Sequence, residues 1–242
     1  MKKLTSLLIA LFSLVWLTGA GWLPLAKSGG AVSFSIANTD YVEDATSQTT
    51  YTFTGRAIGS AAASRVVVVV VASRVSGAAS AASGVTIGGS SASLVKSLAT
   101  TVTNTDTIDV YQLAIAAGTT ATVVVTYPAA MARCGVAVYS VIGSNGVVPS
   151  GAAAATSASL TAPSASITVP VGGGSIVGAS GGGGPNTATA TNYTQDLANN
   201  IGASGTIIVA GHDTSHSGST TYTITWDAAA AESAAAFAAW SP

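Results

Sequence analysis

Six consecutive valines, Val66 to Val71, constrain the fold of this chain more than any other feature. A branched Cβ restricts the first side-chain torsion of valine and packs well on a pleated surface, so a short valine run predicts a strand. Because successive side chains of a strand point to opposite faces, three valines face each way. The run therefore predicts a central strand with both faces covered, either by another segment such as the alanine-rich tail or by a neighbouring subunit.

The rest of the chain has the short, turn-bounded runs that are typical of an all-β protein. Tyr51 and Phe53 alternate with threonines, and Thr103 to Asp106 has the Asn and Asp of a turn between two strands. We expect a single antiparallel β-sandwich, jelly-roll-like, with about 10 to 13 short strands over residues 27–242. The alanine-rich stretch from Glu232 to Trp240 is expected to be its final strand.

The composition argues against nucleic-acid binding and leaves a secreted module and an assembly subunit as alternatives. Only 7% of the residues are charged, against about 25% in a typical soluble protein, and the formal net charge is −1 with the Lys and Arg residues scattered. Such a chain lacks the basic surface that binds nucleic acid. Few surface charges also give little protection against self-association, so the chain is either a weakly charged secreted module or a subunit of a larger assembly. The only cysteine, Cys134, lies among apolar residues and is expected to be a buried thiol.

The first 26 residues form a separate hydrophobic segment. Met1-Lys2-Lys3 precedes an apolar run from Leu4 to Leu17, and small residues up to Ala20 offer a cleavage point, as in a secretory signal. No charge occurs over residues 4–26, which is long enough to span a bilayer of about 30 Å if it is retained. We expect a cleaved signal, with a membrane anchor as the alternative.

Both histidines lie in one short stretch. His212 and His216 flank Asp213, and imidazole and carboxylate are suitable ligands for a divalent metal. A four-residue spacing brings two ligands together on a helix, whereas this stretch is predicted to be a loop between strands, and no third or fourth ligand is identifiable. We therefore expect solvated loop histidines and no metal or other cofactor, with His212, Asp213 and His216 as the weak metal candidates.

One segment matches a hydrolase motif in sequence but lacks the structural context that the motif requires. Ser180 lies in a Gly-x-Ser-x-Gly sequence, with Asp196 or Asp213 and then His216 following in the order of a catalytic triad. Such an elbow must connect a strand to a helix, but four glycines and a proline follow Ser180. The acidic group at residues 40–44 is interpreted as solvated, although calcium or a glycosidase pair would use the same residue types. We assign no catalytic residue and expect a non-enzymatic protein.

Five stretches together resemble β-rich structural proteins of bacteriophages and prophages. They fall within about residues 50–180 and are Tyr51 to Gly59, the Arg-flanked valine strand, Val85 to Gly89, Ala132 to Val136, and Ile167 to Pro170. The resemblance implies a virion subunit of a tail, fibre or head decoration, whose partners are other virion subunits or further copies of itself.

The expected function is thus a non-enzymatic structural virion subunit that acts by self-association or surface display. The signal-like N-terminus departs from this pattern, because virion proteins assembled in the cytoplasm need no export. The alternative is an exported bacterial surface or adhesive module, secreted or membrane-anchored, with a host-surface glycan as its partner.

We predict that the mature protein lacks a segment of about 20 residues at its N-terminus, because the charged, apolar and small-residue regions follow the order of a cleaved signal. Intact-mass measurement of protein purified from its native host tests this. A mature mass that includes residues 4–26 would instead support the membrane anchor.

Overall fold

The computed structural model describes residues 33–77, 80–100, 104–145, 154–157, 162–183, 187–203, 205–228 and 230–242. This part of the chain is all β with antiparallel pairing, which confirms the expected fold class. The strands are β1 (Ser35–Asp44), β2 (Gln48–Ala57), β3 (Val66–Ser76), β4 (Gly84–Ile87), β5 (Ser90–Ser91), β6 (Ser93–Ala99), β7 (Asn104–Ala114), β8 (Thr120–Met131), β9 (Arg133–Ile142), β10 (Ala154–Ser157), β11 (Ser164–Val169), β12 (Gly174–Gly182), β13 (Ala188–Thr191), β14 (Thr194–Asn200), β15 (Thr206–Asp213), β16 (Gly218–Trp226) and β17 (Glu232–Trp240).

These strands form four sheets that stack in layers. The first outer sheet has the order β2-β8-β4-β5 and the first inner sheet β1-β9-β3-β7-β6; the second inner sheet has the order β10-β17-β12-β15-β14 and the second outer sheet β11-β16-β13. Three hydrophobic clusters lie between neighbouring sheets, and the middle cluster joins the two inner sheets. Both inner sheets are therefore covered on both faces.

The valine strand, β3, lies at the centre of the first inner sheet, between β9 and β7. Val67, Val69 and Val71 pack against the first outer sheet, in a cluster with aromatic and branched residues of β2, β4 and β8. Their neighbours Val66, Val68 and Val70 face the second inner sheet. Both faces are covered within the chain, so the valine run gives no argument for a neighbouring subunit.

The alanine-rich tail provides much of this cover. It forms β17, as expected, between β10 and β12 in the second inner sheet. Ala234, Ala236, Ala238 and Trp240 face the valines, while the alternate residues of β17 face the second outer sheet. Small side chains let the two inner sheets approach closely: a Cβ on Gly178 of β12 would lie 2.5 Å from Cγ1 of Val70.

Each pair of one outer and one inner sheet is a sandwich, and the two sandwiches share one strand arrangement. In the first, β1 pairs with β9, β2 with β8, β3 with β7 and β4 with β5. In the second, β10 pairs with β17, β11 with β16 and β12 with β15. In each sandwich the pairing is nested: the first strand pairs with the last strand, and the second strand pairs with the second-last strand. The expectation of a single sandwich with fewer strands is therefore not confirmed: the described residues form two sandwiches with 17 strands.

Equivalent side-chain contacts support this correspondence. In the first sandwich, the hydroxyl of Tyr127, in the second half of β8, lies 3.7 Å from Sγ of Cys134 on β9, seven residues further on. In the second, Nε1 of Trp226 at the end of β16 donates to Oγ of Ser233 on β17, again seven residues on, at 3.1 Å. Cys134 is buried, as expected, and burial raises the pKa of its thiol to about 12.

The hydrophobic segment at residues 4–26 lies outside the described residues. Within the described ranges, no helix could cross a membrane.

We predict that Gly178→Ala lowers the free energy of unfolding by about 1–3 kcal/mol, because the new methyl group would overlap Val70 where the inner sheets meet. Urea denaturation measures the change. In the Val70→Ala background the same substitution should cost less, since the overlapping methyl is gone.

Gly84→Ala is the matched control for Gly178→Ala. A Cβ on Gly84 of β4 would meet no atom within 4 Å, so stability should be unchanged. Equal stability of the two glycine variants would contradict the close packing of the inner sheets.

Candidate functional site

His212 lies on β15 and faces the first inner sheet. Its Nδ1 is 2.8 Å from Oδ2 of Asp196, a residue that a bulge in β14 places between the register positions of Gln195 and Leu197. The hydroxyl of Tyr139, from β9 of the first sandwich, donates to the same carboxylate oxygen at 2.9 Å. The hydrogen bond with Asp196 raises the pKa of His212 above its usual value, and burial opposes this effect. This cluster of Tyr139, Asp196 and His212 joins the two sandwiches.

Asp213 follows His212 on the strand, so its side chain points to the opposite face, towards the second outer sheet. Its Oδ1 accepts hydrogen bonds from the backbone N–H and the hydroxyl of Ser215, and its Oδ2 accepts one from the hydroxyl of Tyr222. Oδ2 also lies 2.8 Å from Nδ1 of His216. Burial acts to raise the pKa of Asp213, but these hydrogen bonds together hold it below its usual value.

The two histidines therefore belong to different clusters on opposite faces of the second inner sheet. Each has its Nδ1 directed at a separate carboxylate, Asp196 for His212 and Asp213 for His216. Among the described residues, no three His, Cys, Asp or Glu side chains converge in a way that could hold a metal ion.

Asp213 and His216 form a carboxylate–imidazole pair beside an open pocket. A carboxylate on Nδ1 fixes the imidazole ring and leaves Nε2 for another partner, which is the arrangement of a general base. His216 lines an open pocket of about 290 Å³ with Asn192, Tyr193 and Thr194. The nearby Ser215 hydroxyl is 3.1 Å from Nδ1, the nitrogen already directed at Asp213, so it is not placed as a nucleophile activated by Nε2.

The triad suggested by the order of Ser180, Asp196 or Asp213, and His216 is not assembled. Ser180 lies within β12 opposite Ile208 of β15, and its buried hydroxyl has no hydrogen-bond partner in the described structure. Asp213 pairs with Ser175, five residues back along β12, which corresponds to about 17 Å of strand. Ser180 is a strand residue, and no helix follows it in the part of the chain that the structure describes.

The acidic residues of β1 also act separately. The carboxylate of Asp40 accepts a hydrogen bond from the Ala57 backbone N–H and lies 3.6 Å from Arg56. Glu43 accepts a hydrogen bond from the hydroxyl of Tyr41, and Asp44 accepts several from the turn that follows it. These contacts fix β1 and its turn rather than form one site.

A cluster of buried charges that the sequence analysis did not predict lies where the two sandwiches meet. Nη2 of Arg74, on β3, lies 2.7 Å from Oε1 of Glu232, at the start of β17. Asp106 is fully buried on β7, although the sequence predicted a turn there. A single charged residue in a polar stretch of sequence is normally interpreted as a surface residue. Arg74, Asp106 and Glu232 come together only because strands that are distant in the sequence pair and pack.

Comparison with family models, curated proteins and solved structures finds no match for this chain. The function is therefore inferred from the fold and from the geometry of the described residues.

We predict that Asp213→Asn lowers the free energy of unfolding by about 3 kcal/mol at pH 7, because a neutral amide replaces a buried carboxylate that accepts several hydrogen bonds. The pKa of Asp213 is lowered, so its stabilisation is present above about pH 3.8 and is lost as the pH falls through the lower folded value. Chemical denaturation from pH 2 to pH 7 should show the difference from wild type shrinking in acid.

Asp227→Asn is the matched control for this prediction. Asp227 is exposed and accepts a hydrogen bond from the Thr187 backbone N–H at 3.2 Å, so its replacement should change stability little. An equal loss in both variants would contradict the role assigned to Asp213.

Proposed function

We propose that this protein is a non-enzymatic structural subunit of a bacteriophage particle that acts by self-association or surface display. The nested strand pairing of each sandwich is the observation that carries the proposal, because the pairing resembles that of a jelly roll, an architecture that viral capsid domains use. This is an analogy at the level of fold, and the surface supplies an independent argument.

The second outer sheet presents hydroxyl groups to solvent over its whole outward face. The outward residues are Ser164, Ser166, Thr168, Thr189, Thr191, Ser219, Thr221, Thr223 and Thr225. The first outer sheet presents a similar set, which includes Thr50, Thr52, Thr54, Thr122 and Thr126. Neutral hydroxyls are hydrated in the free protein, yet they cost less to bury against a partner than charged groups do. Both ends of the stack therefore suit packing against further subunits.

Purified phage particles provide the direct test. We predict that mass spectrometry of intact virions detects this chain in a fixed copy number, and that antibodies against it label one part of the particle in electron microscopy. Its absence from particles that are otherwise complete would contradict the proposal.

Self-association offers a second test, with a matched pair of variants. Thr221→Glu places a charge in the middle of the hydroxyl face, so sedimentation should show a loss of assembly of about tenfold or more. Val171→Glu adds the same charge at a residue that is 83% exposed in the turn between β11 and β12, outside the strands of that sheet, so assembly should persist. A wild-type chain that stays monomeric at high concentration would contradict assembly through these faces.

The alternative function is an exported surface module that binds a glycan. The observation that favours it is the pocket beside His216, where Asn192 and Thr194 offer polar contacts and Tyr193 offers part of an aromatic ring. A monomeric protein that binds glycans, and that loses binding in His216→Ala, would establish this function in place of the virion role.

A further inference from the structure

Two carboxylates and a guanidinium converge at one end of the interface between the two sandwiches. A Cβ on Gly182 of β12 would lie 2.5 Å from Oε1 of Glu232, 2.6 Å from Oδ2 of Asp106 and 2.7 Å from Nη1 of Arg74. Arg74 and Asp106 come from the first sandwich, and Glu232 and Gly182 from the second. Glycine at position 182 leaves the space that these side chains occupy.

Asp106 differs from Glu232 in this cluster because, among the described residues, its carboxylate has neither an ion-pair partner nor a hydrogen-bond donor. The residue has no exposed surface, and neither Oδ1 nor Oδ2 accepts a hydrogen bond within the described structure. The charged groups that face it are Arg74, Glu232 and Arg133. Arg74 is paired with Glu232 and also donates to the hydroxyl of Thr206, so its hydrogen bonds are directed away from Asp106. A negative charge on Asp106 would therefore be poorly compensated.

A proton satisfies this carboxyl group better than a metal ion does. Two guanidinium groups, from Arg74 and Arg133, already place positive charge around Asp106, which disfavours a multivalent cation there. The described residues also provide no third acidic or histidine ligand. Burial raises the pKa of Asp106 well above its usual value; Arg74 opposes this effect and Glu232 adds to it.

A second polar cluster lies near the other end of the same interface. His212 pairs in register with Ile176 near the start of β12, whereas Gly182 ends that strand, about 20 Å away. Asp196 and Tyr139 face His212, and the hydroxyl of Tyr139 reaches Asp196 from the first sandwich. The charge of Asp213 acts on His212 from the opposite face of the strand. A protonated imidazole would therefore strengthen a contact that spans both sandwiches.

We propose that the interface between the two sandwiches takes up protons at both ends, with Asp106 as a neutral acid and His212 as an imidazolium ion, so that mild acid strengthens it. Valines and small residues fill the middle of the interface and do not titrate. The protein is then more stable at mildly acidic pH than at alkaline pH.

Whether acid raises or lowers the stability follows from the direction in which folding shifts the pKa of the carboxyl groups and of His212. The raised pKa values of Asp106 and Glu232 mean that their protonated forms are favoured in the folded state, so stability is greatest below pH 3.8 and falls as the pH rises through the folded values. The raised pKa of His212 gives stability that is complete below pH 6.5 and lost above the folded value. Asp44 and Asp213 act in the opposite sense, but only in strong acid.

Infrared spectroscopy of the full chain tests the neutral acid directly. At pH 7.5 the wild-type spectrum should contain the C=O stretch of a protonated carboxyl group, and Asp106→Asn should remove it. Asp109→Asn is the matched control, because this buried carboxyl on the same strand faces the core of the first sandwich and has a pKa of about 6, so it is ionised at that pH. Absence of the band in wild type, or its persistence in Asp106→Asn, would overturn the proposal.

Thermal unfolding tests the effect on stability. The wild-type midpoint should be higher at pH 5 than at pH 8, and Asp106→Asn should raise the midpoint at pH 8 by at least about 3 °C, with a smaller change at pH 5. His212→Gln should lower the midpoint at pH 5 more than at pH 8. A wild-type midpoint that is equal or higher at pH 8 would overturn the proposal even if neither variant folds.

Discussion

The need to bury both faces of one strand determines the architecture of this protein. β3 presents three valines to each side, and each set would cost several kcal/mol if it were left in water. The first outer sheet covers one face with aromatic and branched side chains. The second sandwich covers the other face, and its inner sheet uses alanine and glycine, so that the backbones approach closely. Both faces of β3 are thus buried, one by large side chains of the first outer sheet and the other by the close approach of an inner sheet rich in small residues.

The few charged residues of this chain have specific positions inside it. Arg65 is almost fully buried and donates hydrogen bonds to the carbonyl oxygens of Gly59, Ile115 and Ala117, which holds two loops at one end of the first sandwich. Asp109 accepts a hydrogen bond from the backbone N–H of Ala82, while the hydroxyl of Tyr111 donates to the carbonyl of the same residue. Buried charges therefore fix loops of Ala, Ser and Gly that have little side-chain packing of their own.

The sequence predicted the local structure better than the arrangement of the strands. The burial of both valine faces and the assignment of β17 as a strand follow from side-chain type and alternation, and both are confirmed. The duplication could not be predicted in the same way, because equivalent positions hold different residues, such as Tyr127 and Trp226. His212 and His216 appeared as one group because they are close in sequence; β15 continues through His212 and separates them. The burial of Asp106 depends on strands that are far apart in the chain.

The nested pairing also sets an order for folding. In each sandwich the first strand pairs with the last, so the inner sheet cannot close until the whole half has been synthesised. Contacts between distant residues make such folding slow. The first sandwich can close when β9 emerges from the ribosome, whereas Val66, Val68 and Val70 remain exposed until β17 follows about a hundred residues later, or about 5 to 20 seconds of translation. During that interval, the apolar face that later joins the sandwiches is a surface on which nascent chains can aggregate.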